Sequence, residues 1–189
     1  MKKKILNLNE LKNYCKKQKQ IGKKIVLAHG TFDLLHIGHI KHLKYAKNSG
    51  DILIVTVTAD KFVKKGPNRP YFNQFNRSEM LSTLNFVDKV CIINSFSAVP
   101  AIENSKPNYY IKGIEYKNES NDLTKKIFTE KSILKKHGGK IIYSNEETFS
   151  SSTLLNNFFS GRSSKLKEKI KKINKKNLII LQSIRRLLI

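Results

Sequence analysis

The chain has 189 residues, of which 39% are hydrophobic, and it carries a formal net charge of +23. This length fits one domain of ordinary size with a short appendage, and it allows a substantial buried core. No apolar run approaches the roughly 20 residues of a membrane-spanning helix, and the basic N-terminus lacks the apolar stretch of a signal peptide. The two cysteines indicate neither a disulfide framework nor a metal knuckle, so the sequence predicts a cytoplasmic protein.

The positive charge is compatible with a nucleic-acid role. The basic residues are spread along the whole chain, however, and the sequence contains no nucleic-acid recognition motif. We therefore expect no specific nucleic-acid partner. We expect instead that the positive surface attracts nucleotides and sugar phosphates.

Helical and strand patterns alternate along the first 160 residues. A short basic helix is predicted first, over residues 9–20, with Asn9 as its N-cap. The elements predicted after it are strand 24–28, helix 40–47, strand 52–57, loop 60–75, helix 76–84, strand 88–93, helix 97–104, strand 108–112, a helix from 121 or 124 to 137, strand 140–143 and helix 154–159. This order predicts an α/β fold, with a Rossmann-like parallel sheet of five strands and helices on both faces.

Composition divides the chain into an N-terminal helix at residues 1–22, a main domain at 23–161 and a basic tail at 162–189. The tail contains ten basic residues and one acidic residue, with a thin apolar stripe at helical spacing. It is predicted to be helical, as a linker or the remnant of a missing domain. The alternative is that it docks on an anionic membrane or a partner.

The sequence HGTFDLLHIGH, residues 29–39, stands between the first predicted strand of the sheet and the next helix. His36 and His39 lie on one face if they occupy the first turn of that helix. Gly38 lacks a Cβ, and the N–H groups of a first helical turn form an anion site, so a phosphate can approach the backbone there. Because ligands of parallel sheets bind beyond the carboxyl ends of the strands, we expect the two histidines to bind phosphates and stabilise phosphoryl transfer.

His36-Ile37-Gly38-His39, preceded by Gly30-Thr31-Phe32-Asp33, resembles the His-x-Gly-His signature of the cytidylyltransferase-like nucleotidyltransferases. Four further segments resemble that family in the same order: the phosphate-contacting loop at Lys65-Gly66 and Arg69-Pro70, the arginine-containing helix start at Asn76–Met80, the segment of the heptose-phosphate adenylyltransferase branch at Lys112–Tyr116, and the serine/threonine cluster at Ser151–Thr153. The resemblance covers residues 24 to 160, so it identifies residues 23–161 as a nucleotidyltransferase domain.

The resemblance implies in-line attack by a phosphate oxygen of the acceptor on the α-phosphorus of a nucleoside triphosphate, with release of pyrophosphate. It implies catalytic roles for His36, His39 and Lys65, with the histidines donating hydrogen bonds in their cationic form. The residues implied to bind the nucleotide are Gly30, Thr31, Phe32, Gly38, Arg77, Lys112, Gly113, Ser151, Ser152 and Thr153.

Mg²⁺ is expected as a cofactor that is held mainly by the phosphates of the triphosphate, without a dedicated protein metal site. Asp33 either lies beside the metal or fixes its own loop by accepting backbone N–H bonds. Among the other histidines, we expect a structural role for His29 and solvated positions for His42 and His137.

The substrate favoured by the resemblance is ATP with a sugar phosphate such as heptose 1-phosphate. One alternative is a CTP-dependent enzyme that acts on glycerol 3-phosphate or another polyol phosphate, although residues 144–147 lack the arginine that often precedes the serine cluster in that branch. An alternative of another class is a non-catalytic module that binds nucleotides or nucleic acid. The resemblance further implies a homodimer and a sugar-kinase partner domain that is absent from this chain.

Overall fold

The computed structural model describes residues 3–66, 68–117 and 126–144. The predicted serine cluster, the tail 162–189 and the helix 154–159 lie outside the described residues. The strands are β1 (Ile5–Leu6), β2 (Ile25–Gly30), β3 (Ile52–Thr58), β4 (Lys89–Ile93), β5 (Tyr109–Gly113) and β6 (Lys140–Ser144). The helices are α1 (Leu8–Gln20), α2 (Ile37–Asn48), α3 (Gln74–Thr83), α4 (Val99–Ser105) and α5 (Lys126–Lys136), with short 3₁₀ turns at Asp60–Phe62 and Ile114–Tyr116.

The described strands form one parallel sheet in the order β1-β4-β3-β2-β5-β6. The chain proceeds from β2 outward to β3 and β4, then crosses to the other side of β2 for β5 and β6. The direction of winding therefore reverses between β2 and β5, which is where ligands of such sheets bind. The predicted Rossmann-like α/β fold is confirmed.

The sheet has six strands among the described residues, and the prediction of five is wrong. The missed strand, β1, pairs Ile5 with Val90 and Leu6 with Cys91 at the edge of the sheet. Two residues are too short to produce a periodic pattern in the sequence, so only the pairing with β4 defines this strand.

Apolar side chains fill both faces of the sheet, because successive residues of a strand point to opposite sides. One buried cluster contains Leu27 and Ile54 from the sheet with Leu11 of α1. The other contains Val26 and Val55 with the helix residues Leu43 and Leu81. All seven residues of β3 are buried, as expected for a strand covered on both faces, so the prediction of helices on both faces is confirmed.

Helix α1 starts earlier than the sequence suggested. Asn7, not Asn9, is its N-cap: the Asn7 side chain accepts a hydrogen bond from the N–H of Glu10 at 2.9 Å, and the Glu10 carboxylate accepts one from the N–H of Asn7 at 2.8 Å. This reciprocal capping box satisfies two N–H groups that lack partners in the helix. None of the described helices combines the length and the apolar character that crossing a bilayer requires.

Candidate functional site

The histidine turn lies at the carboxyl end of β2, where the chain enters α2. His36 is the N-cap of α2, and its Nδ1 accepts a hydrogen bond from the N–H of Gly38 at 3.1 Å. The Nδ1 of His39 faces the N–H of His36 at 3.4 Å. The two imidazole rings stack with their centroids 3.9 Å apart. The structure thus brings both rings together at the start of α2, with His36 as the N-cap that precedes the first turn and His39 as the third residue of the helix.

The hydrogen bond to Nδ1 determines what the His36 ring presents to a ligand. Because Nδ1 accepts a hydrogen bond, the proton of the neutral ring is on Nε2. That Nε2 is buried and has no hydrogen-bond partner among the described residues. An N–H donor that is buried without an acceptor is costly, so this atom marks where a ligand with acceptor oxygens fits.

Burial also fixes the charge state of the two imidazoles. Burial, followed by the neighbouring His36 ring and the Lys65 charge, lowers the pKa of His39 to about 3. Burial and the charge of Lys65 also lower the pKa of His36 below its usual value. Both rings are therefore neutral near pH 7 in this structure, whereas the resemblance implied the cationic form. A bound polyphosphate shifts both pKa values upward, because a nearby negative charge favours the protonated ring.

Asp33 fixes the loop that faces the histidines. Its side chain is almost fully buried; one carboxylate oxygen accepts a hydrogen bond from Nε of Arg69 at 2.6 Å, and the other accepts from the N–H groups of Tyr71 and Phe72 at 2.7 and 3.2 Å. Of the two roles that the sequence left open for Asp33, the structure shows the anchoring of the loop.

Arg69 presents a second unpaired donor. Its side chain is 7% exposed, its Nε is bound to Asp33, and its buried Nη2 has no partner among the described residues. Lys65, at the start of the same loop, is exposed; partial desolvation and then the charge of Arg69 lower its pKa. The Lys65 charge in turn lowers the pKa of His36 and His39, as the Arg69 charge lowers that of Lys65, so these groups are neighbours. We call His36, His39, Lys65 and Arg69 the polyphosphate cluster.

Arg77 is fully buried and faces protein oxygens. Its guanidinium donates to the carbonyl of Thr31, to the carbonyl of Thr58 at 2.8 Å, and to the Asp60 carboxylate at 2.6 Å. Its Nε donates to the carbonyl of Phe72 at 2.9 Å. The structure therefore places Arg77 as a support for the loops of the site and does not bring it to the surface that a phosphate can reach.

Arg69 is the residue that the sequence analysis missed as an individual ligand. The resemblance placed it only within a phosphate-contacting loop and gave the guanidinium role to Arg77. No local pattern distinguishes the two arginines, because the difference lies in how many of their donors find partners in the folded chain. In the structure, the donors of Arg77 bind protein oxygens, whereas Nη2 of Arg69 has no partner among the described residues.

Backbone positions of the predicted nucleotide site line the same turn. Phe32 has a positive φ of 50°, and its ring meets the His39 ring edge-on with centroids 5.3 Å apart. A Cβ added at Gly30 would lie 3.1 Å from the Phe32 ring, so this glycine permits the close approach. Thr31 is half-buried, and Gly38 is buried in the first turn of α2.

Lys112 and Gly113 end β5, on the other side of β2. Nζ of Lys112 lies 3.1 Å from a carboxylate oxygen of Glu130 and sits over the rings of Tyr110 and Tyr116, at 4.9 and 4.7 Å from their centroids. The Glu130 carboxylate is 3% exposed and also accepts from the Ala98 N–H at 2.8 Å. The charge of Lys112 is thus neutralised inside the protein, although the lysine lies at the predicted edge of the sheet.

His29 lies near the carboxyl end of β2, and His42 lies in α2. Nδ1 and Nε2 of His29 contact the hydroxyls of Thr56 and Thr58 at 2.9 and 3.3 Å, a structural position as expected. The expectation that His42 is solvated is wrong: it is half-buried, and its Nδ1 lies 2.7 Å from the Ser144 hydroxyl. The two residues are 102 positions apart, so the contact leaves no local signal in the sequence.

Comparison with known proteins extends these observations. The model of the family described as Cytidylyltransferase-like matches residues 27–158. A "Bifunctional protein HldE" from Geobacter metallireducens is 35% identical over 140 residues, which are 73% of this chain and 27% of that protein. The protein of the same name from Campylobacter jejuni is 43% identical over 119 residues, 62% of this chain and 25% of that protein. The chain therefore spans about a quarter of the length of these curated relatives.

Two solved structures share the fold. A lipopolysaccharide core biosynthesis protein from Thermoplasma volcanium aligns with a TM-score of 0.56 and 28% identity, over 67% of this chain and all of that chain. A pantoate-beta-alanine ligase from Francisella tularensis, in complex with beta-gamma ATP and beta-alanine, aligns with a TM-score of 0.52 over 75% of this chain and 66% of that chain. At 19% identity, the second likeness concerns the fold alone.

Proposed function

Because the chain belongs to the cytidylyltransferase-like family, we propose that it transfers an adenylyl group from ATP to a sugar phosphate such as heptose 1-phosphate and releases pyrophosphate. The family match and the relatives named HldE support nucleotidyl transfer. The choice of adenylyl and heptose rests on the resemblance of Lys112–Tyr116 to the heptose-phosphate adenylyltransferase branch.

The observation that carries the proposal is the pair of unpaired donors in the polyphosphate cluster. Nε2 of His36 and Nη2 of Arg69 are the two buried side-chain nitrogens or oxygens without a partner in the described part of the chain. Both are donors, and both belong to the same basic cluster as Lys65. Such an arrangement fits a ligand with negative charge and several acceptor oxygens, as the triphosphate of a nucleotide has.

In the proposed reaction, a phosphate oxygen of the acceptor attacks the α-phosphorus and forms a new P–O bond. The bond between the α-phosphorus and the bridging oxygen breaks, and pyrophosphate leaves with the electron pair. His36 donates through Nε2 to the triphosphate, and Lys65 and Arg69 offset its charge. The contribution of the protein is positioning and electrostatic stabilisation, without a covalent intermediate.

Mg²⁺ neutralises phosphate charge when it binds together with the triphosphate. Both carboxylate oxygens of Asp33 accept hydrogen bonds within the protein, and Asp60 is paired with Arg77. The second oxygen of Asp60 accepts from the N–H of Gln74 at 3.0 Å, so both carboxylates are engaged in contacts that position their loops. We therefore propose that the phosphate oxygens hold the metal. A homodimer and a cytoplasmic location stay predictions from the sequence.

A pyrophosphate-release assay with the full chain tests the proposal. ATP and CTP are each combined with heptose 1-phosphate and with glycerol 3-phosphate, and we expect the fastest release from ATP with heptose 1-phosphate. Faster release from CTP with glycerol 3-phosphate would replace the adenylyl assignment by the cytidylyl one. Nucleotide binding without release from any pair would contradict catalysis and favour the non-catalytic module.

A further inference from the structure

A second basic cluster surrounds two phenylalanines near the polyphosphate cluster. The rings of Phe62 and Phe96 meet edge to face, with centroids 4.7 Å apart, and Phe96 is 43% exposed. Nζ of Lys64 and Nζ of Lys126 lie 4.7 and 5.6 Å from the centroid of the Phe96 ring. Nζ of Lys61 lies 5.0 Å from the centroid of the Phe62 ring. We call these five residues the phenylalanine–lysine cluster.

The topology places this cluster at the ligand-binding edge of the sheet. Phe62 and Lys64 follow the carboxyl end of β3, Phe96 follows that of β4, and Lys126 is the first residue of α5. Lys64 precedes Lys65, whose backbone is one peptide unit away, about 3.8 Å between Cα atoms. Since Lys65 belongs to the polyphosphate cluster and Lys64 faces Phe96, consecutive lysines connect the two clusters.

The cluster holds positive charge that the described residues do not neutralise. None of its three lysines forms an ion pair with a carboxylate in residues 3–66, 68–117 and 126–144. Lys64 and Lys126 reach the same ring, so their ammonium groups are at most about 10 Å apart, which is about the Debye length at 0.1 M ionic strength. Contacts between exposed lysines and aromatic faces contribute only about 0.5–1 kcal/mol each, so the described residues leave most of this positive charge available to an anion.

Lys112 lies at the same edge of the sheet, but a carboxylate neutralises its charge, in contrast to the lysines of the phenylalanine–lysine cluster. Its ammonium group is paired with the buried Glu130 carboxylate at 3.1 Å, so it offers little net charge to an incoming phosphate. The resemblance assigns Lys112 to the substrates, but the charge balance of the structure favours Lys64 and Lys126 as the partners of a second anion.

We propose that the phenylalanine–lysine cluster binds the acceptor: the phosphate group of the sugar phosphate lies against Lys64 and Lys126, and its carbon skeleton lies against the Phe96 ring. This inference rests on the proposed function and names the second-substrate site of the same reaction. Because Lys64 is next to Lys65 in the chain, the proposed acceptor site and the polyphosphate cluster belong to one loop that follows β3.

The test measures binding of heptose 1-phosphate by calorimetry, with the full chain saturated by a non-hydrolysable ATP analogue. The double variant Lys64→Gln/Lys126→Gln is expected to weaken binding of heptose 1-phosphate about ten-fold or more, through the loss of two charged donors. The matched control is Lys135→Gln/Lys136→Gln, which removes two exposed charges from the last turn of α5 and is expected to change this affinity less than two-fold.

A third variant separates the aromatic contribution from general charge. Phe96→Ala is expected to weaken the binding of heptose 1-phosphate several-fold. It is expected to leave the affinity for inorganic phosphate unchanged, because inorganic phosphate has no carbon skeleton. The affinity for the ATP analogue is expected to stay within two-fold of the unmodified chain in all of these variants.

The inference is overturned if the double lysine variant binds heptose 1-phosphate as tightly as the unmodified chain, or if the unmodified chain does not bind it. It is also overturned if the control variant weakens binding equally, since the effect is then one of overall charge. Failure of the proposed function gives a different result. The unmodified chain then binds the ATP analogue and heptose 1-phosphate, and the double lysine variant binds heptose 1-phosphate more weakly, but no pyrophosphate is released from ATP and heptose 1-phosphate.

Discussion

The polyphosphate cluster and the Lys112–Glu130 pair lie at the same edge of the sheet, and each has a basic side chain bound to a buried carboxylate, yet they differ in how fully their charge is neutralised. Arg69 is bound to Asp33 through Nε only and keeps a buried amino group without a partner among the described residues. Lys112 meets a carboxylate and two aromatic rings, and Glu130 is in turn held by other donors. One region is incomplete without an anion, whereas the other is complete in itself.

The difference shows that the hydrogen-bond and ion-pair partners of a residue indicate whether it contacts a ligand better than its place in a sequence motif does. Lys112 matches the family segment, but its charge stabilises the junction between β5 and α5. Arg77 likewise matches, and its donors are used on Thr31, Thr58 and Asp60. A ligand is bound by donors that have no hydrogen-bond partner in the folded protein. Among the described residues, the buried donors of this kind belong to His36 and Arg69.

Breaking the Lys112–Glu130 pair is expected to have the largest effect on stability. Lys112→Met leaves the Glu130 carboxylate buried and unpaired, which is expected to lower the free energy of unfolding by about 3–5 kcal/mol. Urea denaturation measures this loss. Lys112→Met/Glu130→Gln is the control, because the neutral amide needs no counter-charge and should recover much of the stability. A loss below about 1 kcal/mol in the single variant would contradict the view that this pair is structural.

A substitution of Arg69 tests whether the polyphosphate cluster binds the nucleotide. Lysine keeps the positive charge, but its single ammonium group cannot pair with Asp33 and also present a second amino group to a phosphate. Arg69→Lys is therefore expected to weaken the binding of a non-hydrolysable ATP analogue about 10- to 100-fold, the range for one hydrogen bond to a charged group. Calorimetry measures the affinity, and the urea midpoint of the same variant shows whether the fold is kept. An affinity within two-fold of the unmodified chain would remove Arg69 from the site.

The smallest predicted effect is on the pH dependence of stability. Burial, the largest cause in each case, lowers the pKa of His29 and of His42 to about 4, and the pKa of His39 to about 3. Above pH 6.5 these rings are neutral in both the folded and the unfolded chain. Below it, the unfolded chain binds protons that the folded chain does not, so the free energy of unfolding falls as the pH falls.

Each such histidine contributes a slope of up to about 1.4 kcal/mol per pH unit between the unfolded and folded pKa values. Replacing His42 with glutamine is expected to reduce the slope between pH 6.5 and 5 by up to that amount. Urea unfolding at several pH values measures it. An unchanged slope in His42→Gln would show that this ring is protonated in the folded chain.

The sheet and its helices were largely predictable, because hydrophobic periodicity is a local signal. Strands β2 to β6 and helices α1 to α4 lie within three residues of their predicted positions, as does the end of α5, and the largest difference is the first turn of α2, which the pattern missed. What local patterns could not supply was β1, whose two residues are defined by pairing with Val90 and Cys91. The choice between Asn7 and Asn9 as N-cap also required the Glu10 contact.

The location of the candidate site could be predicted from the sequence, but the donors that are available to a ligand there could not. The spacing of His36 and His39 was enough to predict that both rings meet at the start of one helix, and the structure stacks them there, with His36 as the N-cap. The burial of Arg77, the unpaired amino group of Arg69 and the contact of His42 all depend on residues that are distant in sequence. Charge balance in a fold is a long-range property, so a motif shows where a ligand binds before it shows which side chains hold it.

The most direct test of the account is the rate of pyrophosphate release from ATP and heptose 1-phosphate by His36→Ala. Loss of a preorganised donor to the reacting phosphates typically lowers kcat about 10²- to 10³-fold. We predict a fall of at least about 100-fold in kcat for this variant, with the circular dichroism spectrum of the folded chain preserved. A folded His36→Ala protein that releases pyrophosphate at a rate within two-fold of the unmodified chain would contradict the claim that the triphosphate reacts at this turn.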